Sequence, residues 1–282
     1  MPIHDELGTR MKEFYERVPK TKLMRRTPVA IRIDGKAFHT FTRGFNKPFD
    51  DVLISAMQDT MKYLCENIQG CVLGYTQSDE ITLILVDYKR LNSSAWFDYE
   101  VQKMCSIAAS MATMAFNKFF ESNVEKEKDS FTAEWLDEDT YNPNYKNKKL
   151  RDLWQVHNNA LKKGAMFDAR CFNIPKEEVT NLVYWRQLDA TRNSIQMVGQ
   201  ANFSHKELQG KSCQKIKEML IAEKGISWEG FHPMYKHGSC CIKVTTETDG
   251  VTRSSWEIDK NIPLFVGEGR EYIESLIQGQ EE

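Results

Sequence analysis

Pro28-Val-Ala-Ile-Arg-Ile-Asp34, followed by Gly35, is the stretch on which the fold turns. It is short, alternating and rich in β-branched residues, so it reads as a strand that ends at Asp34 and breaks at Gly35. Beyond it, Asp50 to Gln69 carries apolar residues at Val52, Leu53, Ala56, Met57, Met61, Leu64 and Ile68, a helical period closed by Gly70. Cys71–Gln77 and Ile81–Val86 then read as two strands joined by the polar turn Ser78-Asp79-Glu80, a hairpin with acids at its tip.

Further along, Trp96 to Phe120 has the small and apolar residues of a closely packed helix, and Phe167–Ile174 reads as a fourth strand. Pro175 is expected to open a helix reaching about Gln200, with Glu177 and Glu178 in its first turn. A further helix is expected over Lys206–Ala222 and a strand over Ser239–Val244, while the tail from Val251 shows no pattern. The order strand, helix, strand, strand, helix, strand predicts an α+β fold with a ferredoxin-like split βαβ sheet. The sheet unit runs over residues 28–120 and resumes over 165–244 within a single unit of 1–282. The charged, amide-rich stretch 121–164 is expected to be a helical or irregular insertion.

Bulk composition excludes several classes. The chain has 282 residues, 41% hydrophobic and 28% charged, with no run near the roughly 18 apolar residues of a membrane span. Its polar first 22 residues lack the apolar centre of a signal peptide, so a cytoplasmic location is expected. Seven cysteines without a Cys-x-x-Cys pair read as reduced thiols, and neither they nor the six histidines have zinc spacing. The net charge of −2 does not announce a nucleic-acid binder. The segment Arg10–Arg26 is locally basic, a pattern that serves either a phosphate grip or a solvated helix and loop.

The chemistry is expected where Asp34 meets the hairpin tip at Asp79. In a split βαβ sheet these two carboxylates approach each other, and like charges that close raise a pKa or bind a cation. Oxygen ligands without imidazole or thiolate favour magnesium, which can bridge substrate phosphates. The plainer reading is a strand end and a hydrophilic turn, since Asp-Gly is a common turn dipeptide. Gly35-Lys36-Ala37-Phe38-His39 is a turn whose N–H groups can cradle phosphate, and Lys47 is a second phosphate candidate. It is not a Walker loop, because the second Gly and the Lys-Ser/Thr pair are missing.

Arg32-Ile-Asp-Gly-Lys-Ala-Phe-His39, Phe45-Asn-Lys-Pro48 and Gly74-Tyr-Thr-Gln-Ser-Asp-Glu80, in that order and spacing, resemble the tRNA-histidine guanylyltransferase family. Ala109-Ser110, Phe167-Asp-Ala-Arg170, Trp185-Arg-Gln-Leu-Asp189 and Pro233-Met-Tyr-Lys236 continue the likeness across most of 28–243. The resemblance implies a polymerase-type palm running in the 3′–5′ direction. In such enzymes ATP activates a tRNA 5′-monophosphate, and the 3′-hydroxyl of an NTP, typically GTP, attacks it and expels AMP. It further implies that Asp34, Asp79 and the Gly35 carbonyl hold two magnesium ions, with Glu80 supporting at the site's edge. The backbone of Gly35, Lys36, Ala37, Phe38 and His39, with Lys47 and Ser78, would hold triphosphate, and Lys103 matches a family lysine. A homotetramer is the family's assembly.

Two departures stand out. Thr191-Arg-Asn-Ser194 replaces the His-Ile-Asn-Asn motif of eukaryotic members and is similar to the bacterial and archaeal "like" branch, which mostly repairs 5′-truncated tRNAs. Tyr99-Glu100 replaces an expected Arg-Arg pair ahead of Lys103. A palm-type nucleotide cyclase and a non-catalytic tRNA-binding protein are the alternatives.

Overall fold

The computed structural model describes residues 6–135, 146–248 and 251–278. Six strands form one antiparallel sheet: β1 (Val29–Gly35), β2 (Cys71–Gln77), β3 (Glu80–Leu85), β4 (Phe167–Asn173), β5 (Ser239–Thr248) and β6 (Val251–Asp259), in the order β4-β1-β3-β2-β5-β6. The first four strands take the split βαβ order, and β5 and β6 extend the β2 edge. This is the α+β fold expected from the order of the elements, and it is the palm that the resemblance implies. Ten α-helices are described: α1 (Glu6–Met11), α2 (Phe38–Phe41), α3 (Asp51–Asn67), α4 (Val101–Trp135), α5 (Lys146–Lys163), α6 (Val179–Asn202), α7 (His205–Leu208), α8 (Cys213–Lys224), α9 (Pro233–His237) and α10 (Glu271–Ile277).

Alternation along β1 sorts the chain onto two cores. Val29, Ile31 and Ile33, with Ile81, Leu83 and Leu85 of β3, face α3 and α4 and pack on Met57, Met61, Leu64, Phe116 and Phe120. Ala30 and Ile84 face the other way, toward Val179 and Val183 of α6 and Ile273 and Ile277 of α10. Leu64 and Phe116 are completely buried, and each such side chain contributes about 1.5–3 kcal/mol relative to exposure. A smaller cluster joins α6 to α8 through Ile195, Val198, Ile216 and Leu220.

Several local expectations needed correction. The helix expected from Trp96 is a 3₁₀ turn over Trp96–Tyr99 with left-handed Phe97, Asp98 and Tyr99, so α4 starts only at Val101. It then runs past Phe120 to Trp135, and α5 follows, so 121–163 is helical where it is described and Gly164 ends the insertion. Pro175 precedes a 3₁₀ turn, Lys176–Glu178, and α6 begins at Val179. The helix expected over 206–222 is two, because Gly210 takes φ +71° and Ser212 caps a fresh start by accepting the Lys215 N–H. Beyond Val244, β5 continues to Thr248 and pairs with β6, in the tail that carried no readable pattern.

Candidate active site

The site grows from the end of β1. Asp34 pairs in register with Glu80 of β3 and with Asp168 of β4, so three acids stand in a row across neighbouring strands. One residue further, the Gly35 N–H donates to the Asp79 carbonyl at 3.1 Å, which ties the strand end to the hairpin tip. Asp34 and Asp79, 45 positions apart in sequence, therefore share one corner of the sheet.

Electrostatics distinguishes the three acids. Burial raises the Asp79 carboxyl pKa, and the neighbouring Asp34 charge adds to this, while the Ser78 hydroxyl, donating at 3.0 Å, opposes it. Glu80 is also raised by burial and by Asp34, but Arg186 and Arg32 work against the shift. Arg186 Nε donates to Glu80 at 2.6 Å and Arg32 lies 3.7 Å from its other oxygen, so Glu80 is already compensated. Among the described residues, no cation or hydrogen-bond donor is paired with the Asp34 carboxylate. Asp34 and Asp79 thus present negative charge offset only by the Ser78 hydroxyl and the Asp79 backbone N–H, both acting on Asp79, the condition under which a hard cation is favoured. No cluster of three or more His, Cys, Asp or Glu that could hold a metal occurs among the described residues. A magnesium ion here would use the two carboxylates and the Gly35 carbonyl, completing its shell with water and substrate oxygens.

Beside this corner opens a cavity of about 570 Å³. Its wall includes Gly35, Ala37, Phe38, His39, Lys47, Ser78 and Asp79. Ala37 adopts a left-handed conformation (φ +54°) that turns the chain from β1 into α2. Phe38 and His39 open α2, where N–H groups have no intrahelical acceptor, so their donors are available to an anion. A Cβ on Gly35 would stand 2.2 Å from the Phe38 ring, so only glycine fits this turn.

The expected residues do not all converge. Asp34 is half-buried and not part of the wall, Lys36 is exposed outside it, and the Lys36 N–H is spent on the Met166 carbonyl at 2.8 Å. Lys103 is exposed, with its amine 4.7 Å from the Phe97 ring, and is not part of the wall. On α6, Asp189 binds Arg186 and Arg192, whereas Asn193 lines the cavity. The basic segment is largely neutralised within the molecule: Arg17 pairs with Glu13, Lys20 with Glu100, Lys22 with Asp98, and Arg25 with Asp87.

Sequence reading missed two residues of this region. Asp168 belonged to a recognised motif, but only the strand register puts it opposite Asp34. Asp50 lines the cavity and caps α3, accepting the Leu53 N–H at 3.0 Å and the Asn46 N–H at 2.9 Å. An Asp preceding an apolar helical period was the available signal.

An antiparallel palm, paired carboxylates at its corner and a triphosphate-sized cavity beside them define a nucleotidyltransferase. A model of the family "Thg1: tRNAHis guanylyltransferase" matches residues 8–175. A bacterial tRNA(His) guanylyltransferase (Thg1)-like protein solved in complex with ATP is 38% identical and superposes with a TM-score of 0.77, over 96% of this chain and 99% of that one. Such a protein in complex with GTP gives 34% identity and a TM-score of 0.73 over the same shares. The tRNA(His) guanylyltransferase of Saccharomyces cerevisiae is 25% identical over 225 residues, which is 75% of this chain and 80% of that protein. The chain belongs to the tRNAHis guanylyltransferase family.

Proposed function

We propose that the protein adds nucleotides in the 3′–5′ direction to the 5′ end of tRNA, using ATP to activate a 5′-monophosphate and an NTP as the incoming nucleotide. The observation that carries this is the uncompensated pair Asp34 and Asp79, set beside the open N–H groups of the Ala37–His39 turn. In this reading the N–H groups of Ala37, Phe38 and His39, the Lys47 amine and the Ser78 hydroxyl bind the triphosphate. Asp34, Asp79 and the Gly35 carbonyl would hold two magnesium ions, which when bound neutralise phosphate charge and acidify the attacking hydroxyl. Arg186 and Arg32 fix Glu80 beside them, so that the charge behind Asp34 does not move as phosphate arrives and leaves. The cavity supplies ordering: it binds one nucleotide while the sheet face around Asp34 stays open for the RNA end.

Repair of 5′-truncated tRNAs in general is the preferred physiological reading. Thr191-Arg-Asn-Ser194, where eukaryotic members carry the histidine-tRNA motif, supports it, as does the similarity to Thg1-like proteins. We also carry forward the homotetramer; the exposed apolar residues Leu7, Met11, Phe14 and Val18 near the N-terminus support self-association, which light scattering would read. The decisive assay supplies magnesium, ATP and labelled GTP to a tRNA lacking its 5′ nucleotide, alongside intact tRNA(His) transcript without its extra guanosine. Incorporation into both is expected. No incorporation into either overturns the reading.

A further inference from the structure

A second buried charge group lies behind the cavity wall, and the nucleotidyl-transfer chemistry above makes no use of it. The His157 side chain, on α5, is 0% exposed. Its Nε2 stands 2.9 Å from Asp50 Oδ2, and its Nδ1 stands 2.7 Å from Glu127 Oε2 on α4. The rings of Phe45 and Phe120 meet it edge-on at 4.7 and 5.9 Å and keep water away. A carboxylate only accepts, so a ring that satisfies one at each nitrogen must donate from both, which only imidazolium can do.

Asp50 connects this centre to the cavity. One of its oxygens accepts the Leu53 N–H and the other accepts the Asn46 N–H together with His157. Three of the carboxylate's roughly four acceptor sites are therefore filled within the chain, which leaves Asp50 little capacity to bind a cation or a nucleotide itself. What it does is fix the loop Asn46–Asp50, which carries Lys47 into the cavity wall.

We propose that protonated His157 is a positioning residue: it clamps the Asn46–Asp50 loop against α4 and α5, and so holds Lys47 where the cavity binds a nucleoside triphosphate. This rests on the cavity being the nucleotide site. The ionisable groups that act on the ring are Asp50, at the start of α3, and Glu127, on α4. Their hydrogen bonds overcome the effect of burial and raise the ring to about 9, so the clamp is closed at neutral pH and opens in alkali.

The test uses the full chain with and without magnesium GTP, in the absence of tRNA. In the free protein, the Asn46 and Leu53 amides should lose about tenfold in exchange protection in His157→Gln at pH 7.5, while the interior of α3 keeps its protection. The Kd for magnesium GTP should rise about tenfold, and when tRNA and ATP are then supplied, kcat at saturating nucleotide should be nearly unchanged. The wild-type Kd should climb toward the variant's value above pH 9, and the variant should show no such climb. If His157→Gln does not fold, Glu127→Gln replaces it, because losing one carboxylate should move the wild-type climb to lower pH. A loosened loop with unchanged nucleotide Kd overturns the proposal, as does an identical alkaline climb in wild type and variant. Wild-type protein that binds no magnesium GTP would instead overturn the reading of the cavity, and exchange at Asn46 and Leu53 would still decide whether His157 clamps the loop.

Discussion

Two carboxylate centres border the same cavity, and their chemistry is opposite. At Asp34 and Asp79 the charges repel, burial raises the Asp79 pKa, and the Ser78 hydroxyl and the Asp79 backbone N–H oppose it only in part. At Asp50 and Glu127 an imidazolium lies between the acids; although burial pushes Asp50 up, His157 and two backbone N–H groups bring it below the ordinary range. The first centre is left electrostatically incomplete, and a bound cation would complete it. The second is complete within the chain. A buried carboxylate whose partner is built in holds structure, and one whose partner must come from solution performs function.

The largest effect that can break this contrast is Asp79→Asn. Nucleotide incorporation should fall by about 10³-fold or more, because the amide cannot neutralise a cation. The thermal midpoint should hold or rise, since a destabilising charge has gone. Incorporation assays beside calorimetry check both, and a lowered midpoint would class Asp79 with the structural acids.

Glu80 sits on the border between the two kinds, in register with Asp34 yet paired with Arg186. Arg186→Ala would leave buried Glu80 with Arg32 alone, at 3.7 Å, and should cost about 3 kcal/mol in urea unfolding. Replacing both, with Glu80→Leu and Arg186→Leu, should recover most of that stability. If activity also survives the double change, Glu80 is structural.

A smaller effect follows from the complete centre. The His157 pKa rises from 6.5 to about 9 on folding. A raised folded pKa means the contribution is fully present below pH 6.5 and is lost as pH climbs through 9. The shift of about 2.5 units corresponds to on the order of 3 kcal/mol. Unfolding free energies of wild type and His157→Gln should therefore converge between pH 6.5 and 9.5. Curves that stay parallel over that window would show that the ring is neutral.

The two centres also differed in how far the sequence disclosed them. Asp34 lies near the end of β1 and Asp79 in the turn between β2 and β3, strands whose apolar runs are plain in the sequence, and the split βαβ order then puts them together. His157 has partners 107 and 30 positions away, one the cap of α3 and the other within α4, with nothing local to signal the contact. The fold shows the same division. β1, β2 and β3 are dense in β-branched and apolar residues and could be read directly. β6, Val-Thr-Arg-Ser-Ser-Trp-Glu-Ile-Asp, lies at the sheet edge and, among its described side chains, packs on the core through Trp256 and Ile258, so its composition looks like a loop. The left-handed run at Phe97–Tyr99 was hidden because only Asp98 among those residues is a type that takes that conformation with any frequency.

The smallest effect probes what holds the incomplete centre in shape. A Cβ at position 35 would overlap the Phe38 ring, with its nearest carbon at 2.2 Å. That ring cannot easily retreat, because Phe41, Phe116 and Phe167 surround it at 5.0, 5.6 and 5.2 Å. Gly35→Ala must therefore displace the turn itself, at about 1–3 kcal/mol, and with it the Gly35 carbonyl and the N–H groups of Phe38 and His39. Nucleotide affinity should fall in step with stability. Adding Phe38→Leu, which gives the methyl group room, should restore part of both. Restored stability without restored affinity would mean that the ring orients the phosphate donors directly, so that the aromatic cluster under α2, rather than the glycine, sets the geometry of the turn.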